Sequence, residues 1–157
     1  MVTDNPTGKV GSETLKKRCD LRLIYLKDVS FEAPHVPGIL FGHDQPELQF
    51  SVETNYKLSV QHQEGLGDVF DVLVTVNVEA KAAGRALFLV EVHQGGLFEV
   101  SGYSPEETDV VLRTTAPESV YPYARELITS LITRGGFPNV RLRPLNFAQL
   151  YAEQAPA

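Results

Sequence analysis

The sequence predicts an α+β fold: a four-stranded antiparallel meander followed by a short helix, a long amphipathic helix and a short C-terminal helix. Three observations carry this. Between Leu48 and Val78 two long stretches alternate apolar and polar residues, the two-residue period of strands with one wet face. From Glu118 to Pro138, Val120, Ala124, Leu127, Ile128, Leu131 and Ile132 recur at the spacing that lays one apolar stripe along a helix. The alternating stretches all precede the helical ones, so strands and helices are segregated rather than interleaved.

Taken in order, residues 1–20 are rich in Thr, Gly, Asn, Ser and Lys without periodicity, and are expected to form a disordered extension ahead of a single domain over 21–157. The basic cluster Lys16-Lys17-Arg18 has no aromatic interleaved with it and reads as solvated rather than as a phosphate-binding arm. The first strand follows from Leu21, with Leu23, Tyr25, Val29 and Phe31 on one face and Arg22, Asp28, Ser30 and Glu32 on the other. Lys27 breaks the apolar face, the mark of an edge or a bend.

Ala33–Pro46 holds three prolines and two glycines and is expected to be irregular, yet it contains Ile39-Leu40-Phe41. A loop with three adjacent large apolar residues either folds over the core or forms a binding surface. Leu48, Phe50, Val52, Tyr56, Leu58 and Val60 mark the second strand, and a turn over Gln63–Gly67 leads to the third, with Phe70, Val72, Val74, Val76 and Val78 on its apolar face. Beyond the turn Lys81–Gly84, Phe88, Val90 and Val92 line one face of the fourth strand. Leu87 and Leu89 make its opposite face apolar too, so something other than water touches that side. Gly95-Gly96 is expected to interrupt this strand, as a bulge or a close backbone approach, before Leu97-Phe98 resumes it.

Ser104-Pro105-Glu106-Glu107 is a capping box with Pro at the first helical position, and the short helix it opens must end before Pro117. For the long helix Ser119 is the expected N-cap with Pro122 in the first turn, and Gly135-Gly136 the stop. Opposite the apolar stripe, Thr129, Ser130 and Thr133 are short and hydroxylated. They let a second helix or a partner subunit approach, or else form a plainly exposed face. Val140–Leu145 reads as extended, and Asn146 caps a last helix carrying Phe147, Leu150 and Tyr151.

Composition narrows the function. With 20 acids against 14 bases the net charge is −6, which argues against a nucleic-acid footprint and suits a partner with a basic surface. No run approaches the roughly 18 apolar residues of a membrane span, and the polar start lacks a secretory signal, so a cytoplasmic location is expected. Cys19 is the only cysteine and makes neither an internal disulfide nor a zinc site by itself. His35, His43, His62 and His93 show no metal-motif spacing, and no nucleotide-binding loop or nucleophile motif is present, so no metal, cofactor or catalytic residue is expected. The one acid–base candidate is Glu91 with His93, two residues apart on one strand face. It would serve a small enzyme of hot-dog type, unless the two are ordinary solvated strand residues.

Three stretches in the same order, Ile24 to Pro34, Phe88 to Phe98 and Tyr121 through Arg134-Gly135-Gly136-Phe137-Pro138 to Phe147, resemble the bacterial protein-export chaperone family SecB over about residues 21–151. The resemblance implies an ATP-independent chaperone that holds unfolded precursor polypeptides and delivers them to the SecA motor. It also implies a homotetramer, a dimer of dimers with the long helices packed between dimers. Thr129, Ser130 and Thr133 then become a subunit interface, and the family's acidic SecA-binding sheet surface corresponds to Asp28, Glu32, Leu89 and Glu91. A holding chaperone must expose apolar surface that tolerates many sequences, which points to Ile39, Leu40, Phe41 and Leu87 as the client groove. SecB-like chaperones that serve toxin–antitoxin systems share the fold, so that client class is the alternative.

Overall fold

The structure is a computed structural model that describes residues 16–61 and 66–154. The expected extension up to residue 15, His62 and residues 63–65 of the expected turn lie outside the described residues. Strands β1 (Arg18–Glu32), β2 (Glu47–Val60), β3 (Asp68–Ala82) and β4 (Arg85–Ser101) form one antiparallel sheet in the order β1-β4-β3-β2. The expected meander holds from β2 to β4. β1 departs from it and pairs with β4, so the Ala33–Pro46 link crosses from one edge of the sheet to the other. Alternation specifies which face a strand buries and leaves its neighbour open, which is why the sequence did not reveal this crossover. Within the link, Gly38–Phe41 makes one turn of 3-10 helix where no regular structure was expected.

The sheet's core face is nearly all β-branched. Val72, Val74 and Val76 of β3 and Val92 of β4 are fully buried, with Phe88 and Phe98 at 2% exposure. Across them lies α2 (Thr115–Arg134), whose Val120, Ala124, Ile128 and Ile132 are also fully buried, while Leu127 and Leu131 are half-buried at the flanks of the stripe. Each buried Val or Ile stabilises the fold by about 1.5–3 kcal/mol, and this packing is what holds helix to sheet.

α2 starts earlier than expected. Its N-cap is Thr114, directly after α1 (Pro105–Arg113), and Ser119 instead lies inside the helix, donating its hydroxyl to the Thr115 carbonyl at 3.1 Å. Pro117 falls in the first turn, where no backbone N–H is needed, and Pro122 is accommodated in the interior. The α1 capping box forms as expected: Glu107 N–H donates to Ser104 Oγ at 3.2 Å and Ser104 N–H to Glu107 Oε1 at 3.4 Å. After Gly135 the chain runs back extended to Asn146, whose side chain accepts from Gln149 N–H at 3.0 Å and opens α3 (Phe147–Gln154).

β1 begins at Arg18, so Arg18, Cys19 and Asp20 belong to the sheet rather than to the extension. Lys17, expected to be free in solvent, pairs with Glu107 of α1 and lies 5.7 Å from the centre of the Tyr103 ring. Register slips between Leu21 and Leu23 and between Leu26 and Asp28 leave Arg22 and Lys27 as extra residues in the edge strand. The Lys27 bulge changes the parity: Leu23 and Tyr25 pair with Leu97 and Gly95 on the uncovered face, while Val29 and Phe31 pair with Val92 and Val90 on the core face. The expected single apolar face of β1 is therefore split between the two sides of the sheet.

Candidate functional site

Among the described residues no helix lies over the sheet face away from α2, and its side chains are organised by pairs across the strands. Directly opposite residues of neighbouring strands share a face, with Cβ atoms about 5 Å apart. Asp28 faces His93, Ser30 faces Glu91 and Glu32 faces Leu89 across β1 and β4. The register thus gathers Asp28, Glu32, Leu89 and Glu91 into one patch at the β1 edge. Leu89, 37% exposed, lies at one end of it, opposite Glu32 and two residues from Glu91. Glu91 is held in place, because its Oε1 lies 2.7 Å from His93 Nε2, and His93 Nδ1 lies 3.2 Å from Thr75 Oγ1 of β3. This three-residue chain places the patch on a fixed frame.

Farther along the same face, Tyr25 crosses β4 over Gly95 and donates its hydroxyl to Asp71 of β3. Gly95 is required there, since a Cβ would lie 2.1 Å from the Tyr25 ring. Burial, and then the bond to Asp71, push the Tyr25 phenol up to about 12. The strand runs unbroken through Gly95-Gly96, so the expected interruption is absent and the expected close approach is a tyrosine ring. At the far end Gly67 N–H and then Arg22 hold the Glu99 carboxyl below the usual carboxylate range.

The apolar link residues are divided. Ile39, Leu40 and Leu87 line one groove of about 640 Å3, closed at its end by Gly136, Phe137 and Pro138 after α2. Phe41 is not part of this lining and stands 80% exposed. On α2, Thr129, Ser130 and Thr133 line a second groove of about 560 Å3, whose opposite wall is the chain's own segment 139–142. Thr133 donates to the Thr129 carbonyl at 3.0 Å, and Ser130 accepts from Arg134 Nε at 3.2 Å. The short side chains admit a neighbour, and the neighbour present is the returning extended segment of the same chain.

The family model described as Preprotein translocase subunit SecB matches residues 12–157. The chain belongs to the SecB family. A protein-export protein SecB of Methylobacillus flagellatus is 43% identical over 131 residues, covering 83% of this chain and 80% of that protein. The corresponding Nitrosococcus oceani protein is 36% identical, covering 98% and 92%. Among solved structures, a SecB-like chaperone of Mycobacterium tuberculosis in complex with a ChAD peptide from the HigA1 antitoxin superposes with a TM-score of 0.60. At 20% identity, over 82% of this chain and 91% of that one, it shares the SecB fold.

Family membership puts Glu91 and His93 in a protein-export chaperone, a reading that fits better than a hot-dog enzyme. They form a surface pair, with side chains 45% and 27% exposed on an open sheet. Among the described residues no cluster of three or more His, Cys, Asp or Glu is arranged to hold a metal, and no helix is long and apolar enough to cross a membrane. The sequence missed Thr75, the anchor of His93, and the Tyr25–Asp71 bridge. Gly95, a glycine in mid-strand, was the available signal for the bridge.

Proposed function

We propose that this SecB family member, a protein-export chaperone, holds unfolded precursor polypeptides without ATP as a homotetramer and presents them to the SecA motor through the uncovered sheet face. The observation that carries the reading is the row of Asp28, Glu91 and Glu32 with Leu89 at its end, gathered by the β1–β4 register on the face that α2 leaves open. Acidic groups beside an apolar anchor suit a basic partner surface: the carboxylates steer the encounter and Leu89 contributes by burial. The groove of Ile39, Leu40 and Leu87 supplies apolar surface for clients. The hydroxylated face of Thr129, Ser130 and Thr133 is the proposed contact between dimers, with a mass in light scattering four times the 17.3 kDa of one chain.

Calorimetric titration with SecA at low and high salt tests this. Glu91→Lys is expected to weaken binding most and Asp28→Ala and Glu32→Ala less, each effect shrinking as salt shortens the screening length from roughly 8 Å. Leu89→Ala is expected to weaken it with little salt dependence. Wild-type affinity in Glu91→Lys would sink the docking assignment, whereas loss of client holding in the same variant would show that the two surfaces are not separate.

A further inference from the structure

The surroundings of His93 accept its neutral and its charged form equally. On the open face it lies opposite Asp28 of β1 and Thr75 of β3, with Glu91 two residues away on its own strand. Its Nε2 is 2.7 Å from Glu91 Oε1 and its Nδ1 3.2 Å from Thr75 Oγ1. In the neutral ring Nε2–H donates to the carboxylate while Nδ1 accepts from the threonine hydroxyl. A second proton, on Nδ1, requires only that the hydroxyl turn and accept, since a hydroxyl serves either role. The imidazole therefore gains charge without moving. Its side chain is 27% exposed, so the proton exchanges with water. The charged groups facing it are Asp28 from β1, Glu91 from β4 and, beyond Thr75, Glu53 from β2, with Lys27 bulged out beside Asp28 as the one base. From β3 only the uncharged Leu73, Thr75 and Asn77 adjoin it.

We propose that protonation of His93 weakens the docking of a basic partner on the row of Asp28, Glu91 and Glu32, because the imidazolium competes for the Glu91 carboxylate that the neutral ring only positions. The inference rests on the docking role proposed above for this row. Histidine is the side chain whose charge ordinarily changes between pH 5 and 8. Above that range three carboxylates face the partner, one of them held by a neutral donor. Below it a positive charge stands among them within ion-pair distance of Glu91. A lysine or arginine of the partner then meets an occupied oxygen and one unit less of negative charge. Docking is thus strongest at high pH and falls as pH is lowered. Linkage makes the effect reciprocal, so docking expels the proton.

Calorimetric affinity for SecA, measured between pH 8 and pH 6 for the wild type and for His93→Gln, tests the switch. The glutamine amide still has an N–H to offer Glu91, and the ratio of the two affinities cancels any titration of SecA itself. The two are expected to agree within about twofold at pH 8, and the wild type to bind roughly two- to fivefold more weakly at pH 6, the worth of an exposed charge pair. His93→Lys, charged throughout, is expected to bind weakly at both. Titrations near pH 6.5 in buffers of different ionisation enthalpy are expected to show proton release by the wild type that His93→Gln lacks. A ratio that does not change with pH, proton release retained in full by His93→Gln, or wild-type affinity in His93→Lys at pH 8 overturns the switch. Glu91→Lys separates this from the docking role: if it keeps wild-type affinity at pH 8 the docking role itself fails, whereas a weakened Glu91→Lys with a constant ratio removes the switch alone.

Discussion

The two faces of β3 share one backbone and differ in what decides their residues. On one side Val72, Val74, Val76 and Val78 are at most 1% exposed beneath α2. On the other, Asp71, Leu73, Thr75, Asn77 and Glu79 are half-buried with no helix among the described residues above them. The first face is chosen by burial, where volume and shape decide and polarity is excluded. The second is chosen by pairs across strands, such as Tyr25 with Asp71 and Thr75 with His93, which order an open surface without covering it. Changes to the covered face should therefore read out as stability, and changes to the open face as binding.

The largest expected effect breaks the covered face. Ile128 is fully buried in the α2 stripe, and Ile128→Ala is expected to cost about 2–5 kcal/mol through lost burial and the cavity left behind. Glu91→Lys, on the open face, is expected to stay within about 0.5 kcal/mol of the parent. Urea titrations of the two variants at equal protein concentration make the comparison, since the proposed assembly would couple stability to concentration. Similar losses in both would mean that the open face is structural as well.

A smaller effect probes the one place where the open face is packed tightly. Gly95→Ala puts a methyl group where the Tyr25 ring lies, so the ring must swing away and the bond to Asp71 is lost. The expected cost is about 1–2 kcal/mol, less than a core deletion because a side chain yields rather than backbone. In a Tyr25→Ala background the same substitution should cost almost nothing, and a double-mutant cycle measures the coupling. Additive losses would show that Gly95 is needed for a reason other than the tyrosine.

These positions also show where the sequence was informative. The stripe of α2, the capping box at Ser104, the cap at Asn146 and the faces of β2 to β4 were legible, because each is a local pattern with a local cause. The docking patch was legible in part: Leu89 and Glu91 share a face by spacing alone, but their nearness to Asp28 and Glu32 depends on β1 pairing with β4. Nothing local encodes that choice of partner. The faces of β1 were misread because a bulge at Lys27 inverts the alternation, and a lone charged residue in a strand signals an irregularity without saying which way it shifts the parity. Ser119 was misplaced as a cap because Thr114, the true cap, makes no side-chain capping bond and so lacks the usual signature.

The smallest effect tests how far the dry face extends toward the edge of the sheet. Cys19 pairs with Val100 on the core face of β1, near the start of the strand, and is only partly buried. Burial, and then the charge of Asp20, push its thiol up to about 11. At pH 8 its thiolate fraction is then roughly two-hundredfold below that of an ordinary cysteine near 8.5, and alkylation by iodoacetamide should be slower by about that factor. The sign for stability follows from proton binding. Below the ordinary thiol value both folded and unfolded chains keep the proton and Cys19 adds no pH dependence. Between about 9 and 11 the unfolded chain has released it while the folded chain has not, so stability should fall as pH rises. Cys19→Ser removes that part of the alkaline slope, which isolates it from the tyrosines that titrate nearby. Alkylation of the folded chain at the rate of a free thiol would show that the rim of the covered face is wet, and would place the boundary between the two faces inside β1 rather than at its edge.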